Sequence, residues 1–164
     1  MEGPIEEISI AEVHEGLVRV PSAVVFDWDN TLKQYDSARR SIRSVVERNV
    51  LEKWKEDRQC RLFVISAIRP TRINVETILI EVDRLELTDI FMEDDANIRV
   101  VPHKYARKGN VIVCGYDKSE TFLEVFGDDD GGKTPVVFFD DERVNIDNFS
   151  PIVDNCTCYH VVEK

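Results

Sequence analysis

Several stretches of this chain are apolar at nearly every position and then stop abruptly. Ala23 to Trp28, Arg61 to Ile65 and Val136 to Phe139 are the clearest, and Val111 to Cys114 and Ile90-Phe91-Met92 are shorter candidates. A strand with one wet face alternates apolar and polar residues, so a continuous apolar run predicts a strand buried on both faces, as in parallel sheets. Between these runs the spacing becomes helical. From Ser41, a plausible N-cap, the positions Ile42, Val45, Val46, Val50 and Trp54 predict one helix, with Glu47, Arg48, Glu52 and Lys53 on its outer side. After Pro70 a second helix is predicted, its inner face formed by Ile73, Ile78, Leu79, Val82 and Leu85. Lys118 to Phe126 predicts a short third, with Phe122, Leu123 and Phe126 facing in. His103 to Asn110 reads as a polar connection and Gly127 to Gly132 as an exposed loop. Cys156 to Val162 alternates, which puts both sulfurs on one face of a strand. Strands alternating with helices predict an α/β fold around a mainly parallel sheet.

With 164 residues, the chain is expected to form one domain, residues 1–164, with a core over 23–164 and an extension over 1–22. Ile8, Ile10, Val13, Leu17 and Val18 indicate that this extension packs, whether as an added strand, a short helix or a tail. The composition, 43% hydrophobic and 32% charged, is that of a globular protein, and no apolar run approaches the ~20 residues a bilayer span requires. Met1-Glu2-Gly3-Pro4-Ile5-Glu6-Glu7 is acidic and lacks the basic-then-apolar layout of a signal peptide, so a soluble, cytoplasmic protein is expected. A formal charge of -11 disfavours a broad surface for nucleic acid or for an anionic membrane. Lys104, Arg107 and Lys108 form a local basic patch, best read as a solvated loop, as are the acidic runs Glu93-Asp94-Asp95 and Asp128-Asp129-Asp130. Cys60, Cys114, Cys156 and Cys158 lack zinc-site spacing and read as small buried residues kept reduced. His14, His103 and His160 have no partner legible in the sequence.

Three of the apolar runs end in residues that carry chemistry: Asp27 and Asp29, then Ser66, then Asp140 and Asp141. In open parallel sheets ligands bind at the carboxyl ends of the strands. If these strands are neighbours, four carboxylates meet in one crevice and cannot all ionise without compensation. A hard divalent cation with oxygen ligands is the natural partner, magnesium first. Lys118, in Tyr116-Asp117-Lys118-Ser119, adds a cation able to hold a carboxylate nucleophile and a phosphate oxygen.

Asp27-x-Asp29-x-Thr31, Ser66, Lys118 and Asp140-Asp141, in that order, resemble the haloacid dehalogenase superfamily of phosphohydrolases. The resemblance covers roughly Ala23 to the C-terminus. Phe138 to Arg143 with Asn145-Ile146, followed by Cys156 to Val161, is similar to the closing segment of its magnesium-dependent phosphatase family. The resemblance implies a three-layer, Rossmann-like fold and phosphomonoester hydrolysis through an aspartyl-phosphate. Asp27 would attack phosphorus, and Asp29 would protonate the leaving oxygen and then activate water. Mg²⁺ would be held by the Asp27 side chain, the Asp29 carbonyl and Asp140, with Asp141 binding directly or through water. Ser66 and Lys118 would bind the phosphate.

The chain departs from that family in two places. Ala67-Ile68 separate Ser66 from Arg69, which leaves Arg69 an open candidate as a phosphate or substrate ligand, and Trp28 stands where small aliphatic residues are usual. The short spans from Asp27 to Ser66 and from Ser66 to Lys118 leave no room for a large cap; the latter has space for about one extra strand pair. An open site is expected, one that admits a phosphorylated protein side chain or a sugar phosphate. Nucleic acid is disfavoured by the acidic surface, and the oligomeric state is not legible. Three other readings stay in view: a catalytically silent interaction module on the same fold, a phosphoryl or phosphoglyceryl transferase acting on an acceptor other than water, and a nucleic-acid 3'-phosphatase, which the acidic surface disfavours.

Overall fold

The structure, a computed structural model, describes residues 4–92, 97–115, 117–126 and 134–162. Its strands are β1 (Ile5–Ser9), β2 (Ala23–Phe26), β3 (Lys33–Asp36), β4 (Ser41–Ser44), β5 (Arg61–Ala67), β6 (Arg99–Val101), β7 (Tyr105–Lys108), β8 (Val111–Cys114), β9 (Val136–Asp140) and β10 (Cys156–Val162). The helices are α1 (Arg48–Glu52), prolonged by a π-helical turn over Lys53–Asp57, α2 (Arg72–Arg84), α3 (Thr88–Phe91), α4 (Lys118–Phe126) and α5 (Arg143–Phe149). Eight strands form one sheet in the order β1-β10-β9-β2-β5-β8-β7-β6. From β1 to β8 every pairing is parallel, and β7 and β6 close that edge antiparallel. The fold is α/β with a mostly parallel central sheet, consistent with a Rossmann-like arrangement.

The continuous apolar runs are strands because each face of the sheet is covered. Val24, Phe26 and Val64 join Leu51, Trp54, Val75, Ile78 and Val82 in the core on one side. Val25, Phe63 and Phe138 join Phe122, Ile146 and Phe149 on the other. Phe26, Phe139 and Tyr159 stack across three neighbouring strands with 5.0 Å between successive ring centroids, a spacing that adds to the burial of their area. The segment before residue 23 supplies β1 as an edge strand on β10, followed by two short 3-10 turns. Among the described residues no helix is long and apolar enough to cross a membrane.

Five local expectations are corrected. Ser41 does not cap a helix: Ser41–Ser44 pairs antiparallel with Lys33–Asp36 in a separate two-stranded hairpin, and the helix begins at Arg48. The Asp36 carboxylate accepts from the Ala38 and Arg39 amides at 3.0 and 3.2 Å, fixing a turn where helix was expected. Ile90-Phe91-Met92 is not a strand: Leu87, Ile90 and Phe91 are buried at helical spacing by the one-turn α3, and the position beside β5 is taken by β8. The connection from His103 to Asn110 contains β7, which turns into β8 through Gly109 at φ 57, a backbone shape that glycine adopts at low cost. Ile73 is 73% exposed, because the inner face of α2 is set by Val75, Ile78 and Val82, with Leu79 and Leu85 packed beside it. The strand expected through Trp28 ends at Phe26, although Trp28 remains buried. The acidic runs at 93–95 and 128–130 and the loop at 127–132 lie outside the described residues.

Candidate active site

Register brings the carboxyl ends of the central strands together. Phe26 of β2 lies level with Val64 of β5 and Phe139 of β9. Asp27 therefore emerges beside Asp140, and Ser66 stands one position further along β5. The Asp27 amide donates to the Phe139 carbonyl at 2.9 Å, which stitches the two acidic strand ends together. Both are buried, as are Ser66 and Lys118.

Lys118 opens α4, and its ammonium donates to Asp27 Oδ1 and to Asp140 Oδ2, each at 2.7 Å. Burial opposes its charge, yet the Asp27 and Asp140 carboxylates outweigh that cost and hold its pKa above the ordinary lysine value. Asp140 accepts three hydrogen bonds and, among the described residues, keeps a lone-pair direction on Oδ1 free. Oδ2 also accepts from Asn145 at 3.1 Å, and Oδ1 accepts from the Glu142 amide at 2.9 Å. Burial raises its pKa, and Lys118 pulls it back. The Thr31 hydroxyl lies 3.1 Å from both Asp27 Oδ2 and Asp141 Oδ1 and accepts from the Asp141 amide at 3.0 Å, so it ties the first acidic loop to the second.

Asp27, Asp140 and Asp141 each place a carboxylate oxygen within 4.8 Å of the others'. Three carboxylates against one ammonium leave two negative charges uncompensated in a largely dry crevice. Asp141 registers the excess: burial first, then Asp27 and Asp140, push its pKa up to about 7. An all-oxygen donor set with a surplus of two negative charges fits a hard divalent cation.

Asp29 faces elsewhere. Its carboxylate, about half exposed, meets Lys33 Nζ at 2.6 Å, and Lys33 also pairs with Glu81 at 2.9 Å. Glu81 accepts from the Trp28 indole at 2.9 Å through its other oxygen. Trp28, Glu81, Lys33 and Asp29 thus form one hydrogen-bonded chain from α2 to the rim of the crevice. The bulky residue between the two aspartates fills the core and orients a carboxylate. Arg69 is exposed and lines a neighbouring groove of about 840 Å³ with Pro70, Arg72, His103, Lys104 and Asp117.

Five participants had no role assigned from sequence: Thr31, Asn145, His160, Lys33 and Glu81. His160 sits level with Asp140 on β10, and its Nε2 donates to the Asp141 carbonyl at 3.1 Å. Only Thr31 and Asn145 carried a usable signal, lying inside the two acidic motifs. All four cysteines are free and buried, and Cys156 and Cys158 share a face with their sulfurs 3.6 Å apart. No protein-family model matches the chain, and no curated protein matches it by sequence.

Proposed function

We propose that this protein is a magnesium-dependent phosphomonoester hydrolase of the haloacid dehalogenase type, working through an aspartyl-phosphate on Asp27. The observation that carries the reading is the buried ammonium of Lys118 bridging Asp27 and Asp140 at 2.7 Å beside the third carboxylate, Asp141. A structural ion pair would balance its charges; with all three carboxylates ionised this cluster carries a surplus of two negative charges, which supports a divalent cation at the site.

Mg²⁺ held by Asp27, the Asp29 carbonyl and Asp140, with Asp141 directly or through water, would supply charge neutralisation between a carboxylate nucleophile and a phosphate dianion. A carboxylate oxygen of Asp27 attacks phosphorus in line as the bond to the leaving oxygen breaks, and Asp29, once protonated and turned from Lys33 toward the crevice, gives that oxygen its proton. In the second step Asp29 takes a proton from water, which attacks the phosphoryl group; the Asp27–phosphate bond breaks and inorganic phosphate leaves. Ser66 donates to a phosphate oxygen, and Lys118 offsets charge shared between phosphate and nucleophile. Arg69 stands where it can reach a substrate lying in the groove. The elements after β2 and β5 are a hairpin, short helices and the β6–β7 pair, which supports a site without a large cap. Phosphorylated protein side chains and sugar phosphates are within reach of such a site. Free thiols and an acidic chain suit the reducing cytoplasm.

Release of inorganic phosphate from an aryl phosphate, with Mg²⁺ and with chelator, tests this reading. Turnover that requires the metal is expected, and its absence sinks the proposal. Asp27→Asn is expected to abolish turnover and to lose the complex with beryllium fluoride, an acyl-phosphate mimic; full activity in that variant removes Asp27 as nucleophile.

A further inference from the structure

The β3–β4 hairpin rises directly from the loop that carries Asp27 and Asp29. The Leu32 amide donates to the Asp27 carbonyl at 3.3 Å and the Val45 amide to the Leu32 carbonyl at 2.8 Å, so both ends of the hairpin are anchored at the acidic loop. Its first residue, Lys33, touches Asp29. From Lys33 to Ser44 it carries Lys33, Arg39, Arg40 and Arg43 against Asp36 alone, a charge of +3 in a chain of -11. The rest of the chain therefore holds -14. This contrast is a local feature that the chain's net charge hides.

The three arginines are presented to solvent, whereas Lys33 is held between Asp29 and Glu81. Arg39, with a side chain 84% exposed, meets Asp36 only at 3.7 Å, and Arg40 and Arg43 are exposed. Arg40 has φ 51, a left-handed conformation that glycine or asparagine would adopt more cheaply. Arg39 and Arg43 line a polar recess of about 480 Å³ with Gln34, Tyr35, Asp36 and Ser37. Tyr35 is 62% exposed. It shares a strand face with Lys33, two positions on, about 7 Å along the hairpin from the residue that touches Asp29.

We propose that this hairpin docks the remainder of the substrate, and that the substrate is a single-stranded nucleic acid ending in a phosphomonoester. The terminal phosphate would enter the Asp27 crevice, which rests on the phosphatase reading above. The docking itself does not. Exposed arginines bind backbone phosphates through their planar forks, and an exposed aromatic ring offers a stacking surface to a base of any sequence. That pairing of arginine with an open ring favours a nucleotide chain over an acidic peptide, which offers anions but no planar base. The surrounding negative charge confines the strand to the hairpin, so the contact is short.

The test uses the full chain and a fluorescein-labelled thymidine oligonucleotide of about eight residues, in chelator, where no turnover occurs. Binding at low salt is expected, and three phosphate contacts give a slope of about -2 in log K against log salt, roughly a twentyfold loss of affinity from 50 to 200 mM. The triple variant Arg39→Ser, Arg40→Ser, Arg43→Ser is expected to lose that binding with its thermal midpoint unchanged. Tyr35→Ala is expected to weaken binding about tenfold and leave the salt slope alone. With Mg²⁺, 3'- or 5'-phosphorylated oligonucleotide is expected to exceed aryl phosphate in kcat/KM by about a hundredfold, an advantage the triple variant erases without changing aryl phosphate turnover. Absence of binding, binding that survives in the triple variant, or preference for an acidic phosphopeptide over the oligonucleotide overturns the proposal. Aryl phosphate hydrolysis without oligonucleotide binding removes the docking inference alone. Oligonucleotide binding without phosphatase activity keeps the docking surface and removes the phosphatase reading.

Discussion

Two regions meet at the loop after β2, and they handle charge in opposite ways. In the crevice, Asp27, Lys118 and Asp140 are at most 8% exposed, and each charge is bonded at 2.7 Å to an opposite one. On the hairpin, Arg39 is 84% exposed and has one loose partner at 3.7 Å. Charge removed from water must be matched in place and fixed in position, which is what the proposed phosphoryl transfer would need. Charge left in water contributes little to stability and stays free to pair with an anion that arrives. The contrast predicts that substitutions in the two regions will separate stability from recognition.

Lys118→Met is expected to have the largest effect. It leaves Asp27 and Asp140 buried without their counter-charge, a loss of about 3–5 kcal/mol by analogy with other broken buried pairs. At ~2–4 °C per kcal/mol for a chain of this size, the thermal midpoint should fall by roughly 10 °C in chelator. Mg²⁺ should recover part of that loss, since it supplies positive charge to the same carboxylates, while phosphatase activity stays lost. A midpoint unchanged from the parent protein would mean that the cluster tolerates naked carboxylates, and the contrast with the hairpin would collapse.

A smaller effect is expected from pH. The folded pKa of Asp141, about 7, lies above its ordinary value of 3.8. The folded protein therefore keeps a proton that the unfolded chain releases. This contribution is full below about pH 4 and is lost as pH rises through 7. In chelator, the thermal midpoint should decline between pH 5 and pH 8 through this group, and Asp141→Asn should flatten the decline. Protons and metal compete for the same carboxylates, so the rise in midpoint on adding Mg²⁺ should be larger at pH 8 than at pH 5. An equal rise at both pH values would place the metal away from Asp141.

Glu81→Ala probes the boundary between the two regions, because Glu81 holds both Trp28 and Lys33. Removing it strands the buried indole N–H at a cost of about 1–3 kcal/mol, seen as a fall of several degrees in midpoint. It also releases Lys33 from α2, so Asp29 loses the far anchor of its partner. A several-fold fall in kcat with KM unchanged is expected for alkyl phosphates, which need a proton on the leaving oxygen, and less for aryl phosphates, which do not. Equal losses for both classes would show that Glu81 serves the fold alone.

What the sequence disclosed follows the same division. Asp27, Ser66 and Asp140 were legible because each ends a run buried on both faces, and such runs admit few alternatives to a central parallel strand. Lys118 was legible only through its place in the order, since a lone lysine before a helix is ordinarily solvated. The hairpin was misread because Ile42, Val45 and Val46 fit a helical period as well as a partly buried strand, and the deciding interaction was the Asp36 side chain closing a turn. Strand β7 hid for a related reason: Arg107 and Lys108 are half-buried, so its alternation was too weak to see. Glu81 lies 53 residues from Trp28 and 48 from Lys33, and His160 lies 19 from Asp141. No local pattern announces such pairings; they exist because the sheet order brings them together.

The smallest expected effect is the most discriminating. In the triple hairpin variant, exposed arginines with weak partners should change folding stability by no more than ~0.5 kcal/mol, and turnover of a small aryl phosphate should match the parent. On the proposed reading, such a substrate would reach Asp27 without touching the hairpin. If aryl phosphate turnover falls along with oligonucleotide binding, the hairpin is shaping the acidic loop through Leu32 and Val45, and the two regions are one mechanical unit. If only the longer anionic substrate suffers, catalysis and docking are separable along this loop: the crevice fixes the reacting phosphorus, and the hairpin selects the chain to which that phosphate is attached.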